Sequence, residues 1–173
     1  MQREQEAWVR KAARTGCVRA MHELALACTD PEERRYWLEE AAERRYVPAM
    51  CDLALECDDR QDRKRWFREA AEEGNVAAMY HFALECDEPA VRERWLRRAA
   101  EKGYVPAMYR LALECGDLYE RRRWLGGAAE EGHVQAMYAF AFEFEDTRKR
   151  RRWLQEAAAN GWEPAVLELA NLS

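Results

Sequence analysis

The six cysteines and three histidines are the side chains of this sequence with the widest chemical range. A thiolate activated by histidine is a nucleophile, Cys and His together bind zinc, and two cysteines form a disulfide. None of them shows the CxxC-type spacing of a zinc site. No GxGxxG, P-loop, HExxH or GxSxG motif occurs either. We therefore expect no enzyme, no metal site and no cofactor.

The spacing of the cysteines favours architecture over chemistry. Four of them recur every 29 residues, and Phe144 takes the fifth place of that series. Equivalent cysteines two helices apart lie beyond the ~7 Å Cα limit for a disulfide, because stacked helices are about 8–10 Å apart. Cys51 and Cys57 point to different sides of one predicted helix, and Cys17 has no evident partner. We predict buried structural thiols.

The elements that position these residues form a tandem repeat. Six tryptophans are each separated by 29 residues: Trp8, Trp37, Trp66, Trp95, Trp124 and Trp153. With each of these as repeat position 1, positions 5, 6, 13 and 18 are always Ala. Position 9 is Gly in five units, with Arg45 as the exception. Because no insertion breaks the register, one repeat unit accounts for the whole chain.

Each unit is predicted to contain two helices. Helix B begins after an Asp N-cap at position 23, carries an apolar stripe at positions 1, 2, 5 and 6, and ends at the Gly of position 9. Helix A covers about positions 12 to 21, with apolar residues at i, i+3, i+4 and i+7. A lone helix pair cannot bury both faces, so the units must stack into a solenoid with the tryptophans in its core.

Three segments carry a family resemblance: AAEEGNVAAMYHFAL, AAEKGYVPAMYRLAL and AAEEGHVQAMYAFAF. They resemble the Sel-one-like repeat, a relative of the tetratricopeptide repeat, and the resemblance covers essentially the whole chain. Family members usually carry a longer loop where this chain has only CDDR, CDEP or CGDL. The resemblance implies an all-α, right-handed α/α superhelix of about twelve helices. We expect one domain over residues 1–173, with half a repeat at each end and five full helix pairs between.

The same resemblance implies a non-catalytic scaffold whose A helices line a concave groove. Positions 12, 16 and 20 share one face of helix A, and tyrosines recur at position 15. We predict that a protein or peptide partner with basic and apolar groups binds there. The candidate residues are Asp52, Glu56, Tyr80, His81, Glu85, Tyr109, Arg110, Glu114, Tyr138 and Glu143. The alternative is that the tyrosines pack between repeats and the glutamates form a solvated face.

Arginines form a second row at position 27, near the start of helix B: Arg34, Arg63, Arg92, Arg121 and Arg150. Cations in a first turn oppose the helix dipole, so we expect compensation. The favoured interpretation pairs them with acids such as Glu56 or Glu85 at the preceding helix end, or with the glutamates of position 7. The alternative is binding of nucleic acid or phosphate. The net charge of −5 argues against nucleic acid as a partner.

The terminal segments complete the predictions. The N-terminus has no apolar signal region and no run of about 18 apolar residues occurs, so we expect a cytoplasmic protein without a membrane partner. The chain begins in a helix B and ends in a helix A. These uncapped ends predict either a fragment of a larger protein or end-to-end self-association.

Overall fold

In the computed structural model the chain consists of α-helices joined by short turns. The structure describes residues 2–172, and the side chains of residues 7–172. Within this range there are twelve helices and no strand. The predicted all-α fold of two-helix repeats is confirmed. The chain divides into two compact units, Met1–Asp87 and Glu88–Ser173. A single domain over residues 1–173 stays a prediction.

In the first unit every helix packs on the next one along the chain. The B helices are α1 (Gln2–Arg14), α3 (Pro31–Glu43) and α5 (Arg60–Glu72). The A helices are α2 (Val18–Ala27), α4 (Val47–Glu56) and α6 (Val76–Glu85). The A helices are the shorter ones, and each is followed by a cysteine at its C-cap.

The second unit repeats this arrangement, with each helix again packed on its successor. Its B helices are α7 (Pro89–Glu101), α9 (Leu118–Glu130) and α11 (Thr147–Ala159). Its A helices are α8 (Val105–Glu114), α10 (Val134–Ala141) and α12 (Glu163–Asn171). Among the described helices of both units, none is long and apolar enough to cross a membrane.

The predicted aspartate caps hold the starts of the B helices. The Asp59 carboxylate accepts hydrogen bonds from the backbone N–H groups of Gln61 and Asp62. The equivalent aspartates before α3, α9 and α11 make the same kind of bond. Glu88, which takes this place before α7, makes no side-chain cap bond. A longer side chain at an N-cap fits the first turn less well, which is why Asp is preferred there.

The A helices begin one residue earlier than predicted. Position 10 is the N-cap, with extended backbone angles such as φ −82° and ψ 102° at Tyr46. The five glycines at position 9 all have positive φ, and Arg45 at the same position has φ 62°. The left-handed turn between helix B and helix A is therefore kept in every repeat, including the one where the side chain of Arg45 makes a positive φ unfavourable.

The core lies between successive helices and is built largely from alanine and leucine. Trp66, Trp95 and Trp124 are buried, with exposed fractions of 8%, 8% and 6%. The prediction of a core tryptophan is wrong for Trp8, which is 72% exposed. The equivalent Trp153 contacts Phe140 of the preceding A helix at 5.3 Å between ring centroids. Trp8 lies on α1, the first described helix, which packs on α2.

Candidate functional site

The glutamate row at the ends of the A helices forms ion pairs with the arginine row of the B helices. Arg63 donates to Glu85 at 2.8 Å and Arg121 donates to Glu143 at 3.0 Å. Two further pairs repeat the relationship: Arg34 with Glu56, and Arg92 with Glu114. The predicted pairing is confirmed. The preceding helix end was the wrong location, however, because each glutamate lies at the end of the A helix that follows.

The arginine row also compensates the preceding A helix. Arg63 donates to the carbonyl oxygen of Cys57 at 3.1 Å, and Arg150 donates to that of Phe144 at 2.9 Å. These carbonyls lie at the negative end of an A-helix dipole. The guanidinium groups of Arg63 and Arg150 thus donate to backbone carbonyls at the end of the preceding A helix. Arg63 also donates to the Glu85 carboxylate at the end of the A helix that follows. This accounts for cations in a first turn where the dipole alone disfavours them.

Glu85 shows what this does to the electrostatics of the acidic row. Burial raises the pKa of Glu85, but the hydrogen bonds and charges of Arg63 and Arg60 lower it more, so its pKa lies below the ordinary 4.5. Arg60 donates to the second carboxylate oxygen at 3.1 Å. Glu85 is ionised and well satisfied at neutral pH. A partner that binds this carboxylate must compete with two guanidinium groups.

Two members of the tyrosine row pack between repeats. Tyr109 and Tyr138, both at position 15, each contact the residue at position 10 of the next repeat. The ring centroids of Tyr109 and His133 lie 4.6 Å apart, and those of Tyr138 and Trp162 lie 6.4 Å apart. All four rings are half-buried. The packing alternative for the tyrosines is therefore correct for these pairs, although each ring keeps part of its surface in solvent.

Position 16 holds three further predicted residues, Asp52, His81 and Arg110, and each has a partner within the chain. Asp52 Oδ2 lies 2.7 Å from Nε2 of His22. His81 stacks on Phe67 at 4.9 Å, and burial lowers its pKa. Tyr80 lies edge-on to the His81 ring at 5.4 Å. The exposed Arg110 and Glu114 form an ion pair on one helix.

Arg110 donates to Glu114 at 2.7 Å, four residues further along α8. Such pairs on a helix surface contribute only about 0.3–0.5 kcal/mol. Arg110 is the most solvent-accessible charged group among the predicted residues, and it needs little free energy to leave its partner. It is therefore the predicted charged residue that a partner reaches most easily.

A row of exposed apolar side chains was missed by the sequence analysis. It occupies position 19 of the A helices, and we name it the leucine row: Leu26, Leu55 and Leu84 in the first unit, Leu113 and Phe142 in the second. Their exposed fractions are 51%, 65%, 40%, 55% and 43%. Position 19 follows position 15 by four residues, so each row member shares a helix face with the tyrosine row. An apolar residue repeated outside the predicted buried face was the available signal.

The six thiols are buried to different degrees. Cys57 and Cys86 are buried as predicted, whereas Cys28, Cys51 and Cys115 are only half-buried. Cys17 is exposed, because its side chain lies at the N-cap of α2 and not on the buried face. Burial raises the pKa of Cys51 to about 11, which keeps it protonated at neutral pH. Among the described side chains, no three His, Cys, Asp or Glu residues lie together as a metal site requires.

Comparison with known proteins identifies the fold. No protein-family model matches the sequence, and no curated protein matches it. A crystal structure of a Sel1 repeat protein from Oxalobacter formigenes is similar over 100% of this chain and 60% of that one, with TM-score 0.82 and 24% identity. A protective antigen of uropathogenic Escherichia coli that displays an SLR fold has TM-score 0.82 and 21% identity, over 96% and 43% of the two chains.

A third similar structure is an immunity protein from Pseudomonas aeruginosa, with TM-score 0.53 and 20% identity over 87% of this chain and 67% of that one. The chain spans 60% of the Oxalobacter formigenes protein and 43% of the Escherichia coli antigen, which is less than two thirds of each. The predicted resemblance is confirmed at the level of the fold: the chain has the Sel1-repeat fold, an α-solenoid of paired helices.

Proposed function

We propose that this chain is a non-catalytic scaffold that binds a protein or peptide partner through the exposed face of its A helices. The leucine row is the observation that carries this proposal. Packing within the repeat explains the buried residues at positions 13, 14, 17 and 18, but it does not explain an exposed leucine on helix after helix. Exposed apolar side chains that recur at one position of neighbouring helices favour an interaction site over isolated surface leucines.

In the first unit the row runs over α2, α4 and α6. The A helices α2 and α4 are direct neighbours, because His22 contacts both Asp52 and the Tyr46 ring, at 2.7 Å and 5.4 Å. Leu26 and Leu55 occupy the same position on these neighbouring helices. A partner that crosses the A helices thus meets one apolar side chain per helix. Half-buried rings beside the row add rigid contact area with a polar edge.

The charges of this face favour a basic partner. The A helices of the first unit carry one cation, Arg19, against Glu23, Asp52, Glu56 and Glu85. Two of these acids pair with arginines of the B helices, whereas Glu23 is exposed. Complementary charge mainly steers the encounter and selects the partner, while the apolar contacts supply the affinity. We therefore propose a partner segment with apolar and basic side chains.

The alternative function, binding of nucleic acid or phosphate by the arginine row, has less support. Arg34, Arg63, Arg92 and Arg121 each lie in an ion pair with a glutamate. A phosphate at these positions would have to displace a carboxylate that the fold already supplies. These ion pairs support a structural role of the arginine row at these four positions.

The proposal is tested by removing the apolar surface without disturbing the core. Leu55→Asp and Leu113→Asp introduce charge at two of the most exposed members of the row. The tagged double variant and the wild type are used to purify partners, followed by mass spectrometry. We expect partners enriched by the wild type to be lost from the variant.

The matched control is Leu118→Asp with Tyr119→Asp. These side chains are 68% and 78% exposed and lie at the start of α9, a B helix and not an A helix. This control should retain the partners. Loss of the same partners from both double variants, or retention in both, would contradict an A-helix binding face.

A further inference from the structure

Five consecutive cations lie in the first two turns of α11: Arg148, Lys149, Arg150, Arg151 and Arg152. We name them the α11 cluster. All except Arg150 are exposed. The helix contains only one acidic residue, Glu156. No other described helix concentrates charge of one sign to this degree.

The α11 cluster lacks the carboxylate partners that other B helices have. Within the described residues, none of its five side chains lies in an ion pair with an acid. Arg150 belongs to the arginine row, but the place of its glutamate is taken by Leu172. Arg151 instead donates to the carbonyl oxygen of Leu172 at 2.6 Å. Because these guanidinium groups donate only to neutral carbonyls, no described carboxylate offsets their positive charge, and they remain able to bind an anion.

The neighbouring helix α9 enlarges the positive surface. The Arg122 guanidinium lies 4.7 Å from the centre of the Phe144 ring, and the Lys149 ammonium lies 5.8 Å from it. Phe144 thus brings cations of two B helices to one place through cation–π contacts. Glu143, one residue earlier, is already paired with Arg121. Asp146 is occupied as the N-cap of α11.

The location of the cluster is electrostatically unfavourable. The first turn of a helix carries the positive end of the dipole and prefers acids. Helices α3, α5 and α9 have acidic residues there, whereas α7 and α11 have none, and in α11 Arg148 and Lys149 stand there instead. Mutual repulsion of the five cations adds to this cost. An anionic ligand at the cluster would relieve both effects.

We propose that the α11 cluster is a second interaction surface, which binds an acidic segment of a protein partner. Its charge is complementary to such a segment, and arginine pairs with carboxylates in a bidentate way. The five residues rise only about 6 Å along the helix, which matches two or three neighbouring carboxylates. Nucleic-acid sites instead extend over many phosphates, and the chain as a whole has a net charge of −5.

The test is direct binding of a fluorescently labelled oligoglutamate peptide to the whole chain, measured by anisotropy at low and at physiological salt. Labelled single- and double-stranded oligonucleotides are titrated in parallel. The variant carries Arg148→Gln, Lys149→Gln and Arg152→Gln, which leaves the carbonyl bonds of Arg150 and Arg151 intact. We expect the peptide affinity to fall by at least about tenfold, since three charge-assisted contacts are removed.

The matched control removes the same number of charges elsewhere, through Lys11→Gln, Arg14→Gln and Arg19→Gln, which are all exposed. Its affinity for the peptide should change less than about twofold, because distant charges are screened. Thermal unfolding shows that both variants fold. Three results would overturn the proposal: no peptide binding at low salt, equal losses in both variants, or tighter binding of an oligonucleotide than of the peptide.

Discussion

Arg97 donates two hydrogen bonds to the Glu120 carboxylate, each 2.8 Å long, although 23 residues separate the two in sequence. One nitrogen of the guanidinium faces each carboxylate oxygen, which is the bidentate geometry of strong pairs. The pair joins consecutive B helices, α7 and α9, within the second unit. The hydrogen bonds from Arg97 are the main cause that lowers the pKa of Glu120 to about 2.

The Glu120 pKa predicts an acid-dependent part of stability. Its pKa falls from an ordinary 4.5 to about 2 on folding, so the carboxylate stabilises the fold above pH 4.5. This stabilisation is lost as the pH falls from 4.5 towards 2. We expect Glu120→Gln to lower the urea midpoint at pH 7 and to have little effect near pH 2. Glu145→Gln, at an exposed position, is the control; an equal shift there would refute the assignment.

The Arg63–Glu85 pair predicts a measurable coupling free energy. Arg63→Ala, Glu85→Ala and the double variant form a cycle, with unfolding by urea as the measurement. The pair is partly buried, with side-chain exposures of 31% and 19%. We expect a coupling of about 0.5–1 kcal/mol, near the upper end for surface pairs. The pair Arg65 and Glu69 on α5 should give about 0.3–0.5 kcal/mol, and a larger value there would contradict the ranking.

Arg45 predicts a stabilising substitution. It is the one described non-glycine residue with positive φ, at 62°. Arg45→Gly should raise the free energy of unfolding by about 0.5–1 kcal/mol. This value already subtracts the conformational entropy that glycine adds to the unfolded chain. The reverse change, Gly74→Ala at φ 95°, should lower it by about 1 kcal/mol. Nothing lies within 4 Å of the new Cβ there, so that loss would be conformational, not steric.

The tryptophans at position 1 predict unequal losses. Trp66→Ala should destabilise by about 3–5 kcal/mol, since this side chain is only 8% exposed. Trp8→Ala should cost less than about 1 kcal/mol, because the ring is 72% exposed. Chemical denaturation of the two variants measures both values. Similar losses would mean that Trp8 is buried in solution.

The helices were predictable because each framework residue has a local cause that the sequence repeats. Asp59 caps a helix start, Gly74 allows a positive φ, and Ala70 permits close helix contact in any unit that contains them. Such causes act within a few residues. Trp8 follows the same pattern but has a different environment, because burial depends on a neighbouring helix and not on the residue type.

The candidate site was less predictable because it depends on contacts between helices. The spacing of Arg63 and Glu85 shows two rows of charge, but not which ends of which helices meet. The direction of the Leu55 side chain decides between core and surface, and position 19 lies next to the core position 18 in sequence. Only the three-dimensional packing shows that Ala54 is buried while Leu55 is 65% exposed.

The cysteines at the ends of the A helices are natural reporters of local opening. Cys57 is buried at the C-cap of α4, with a pKa that burial raises, so a thiol reagent cannot reach it while the helix end is closed. Its labelling rate in native buffer measures how often that end opens. Cys86 is likewise buried at the C-cap of α6, one repeat later, so the same reagent compares the opening of neighbouring repeats in one protein without any engineered probe.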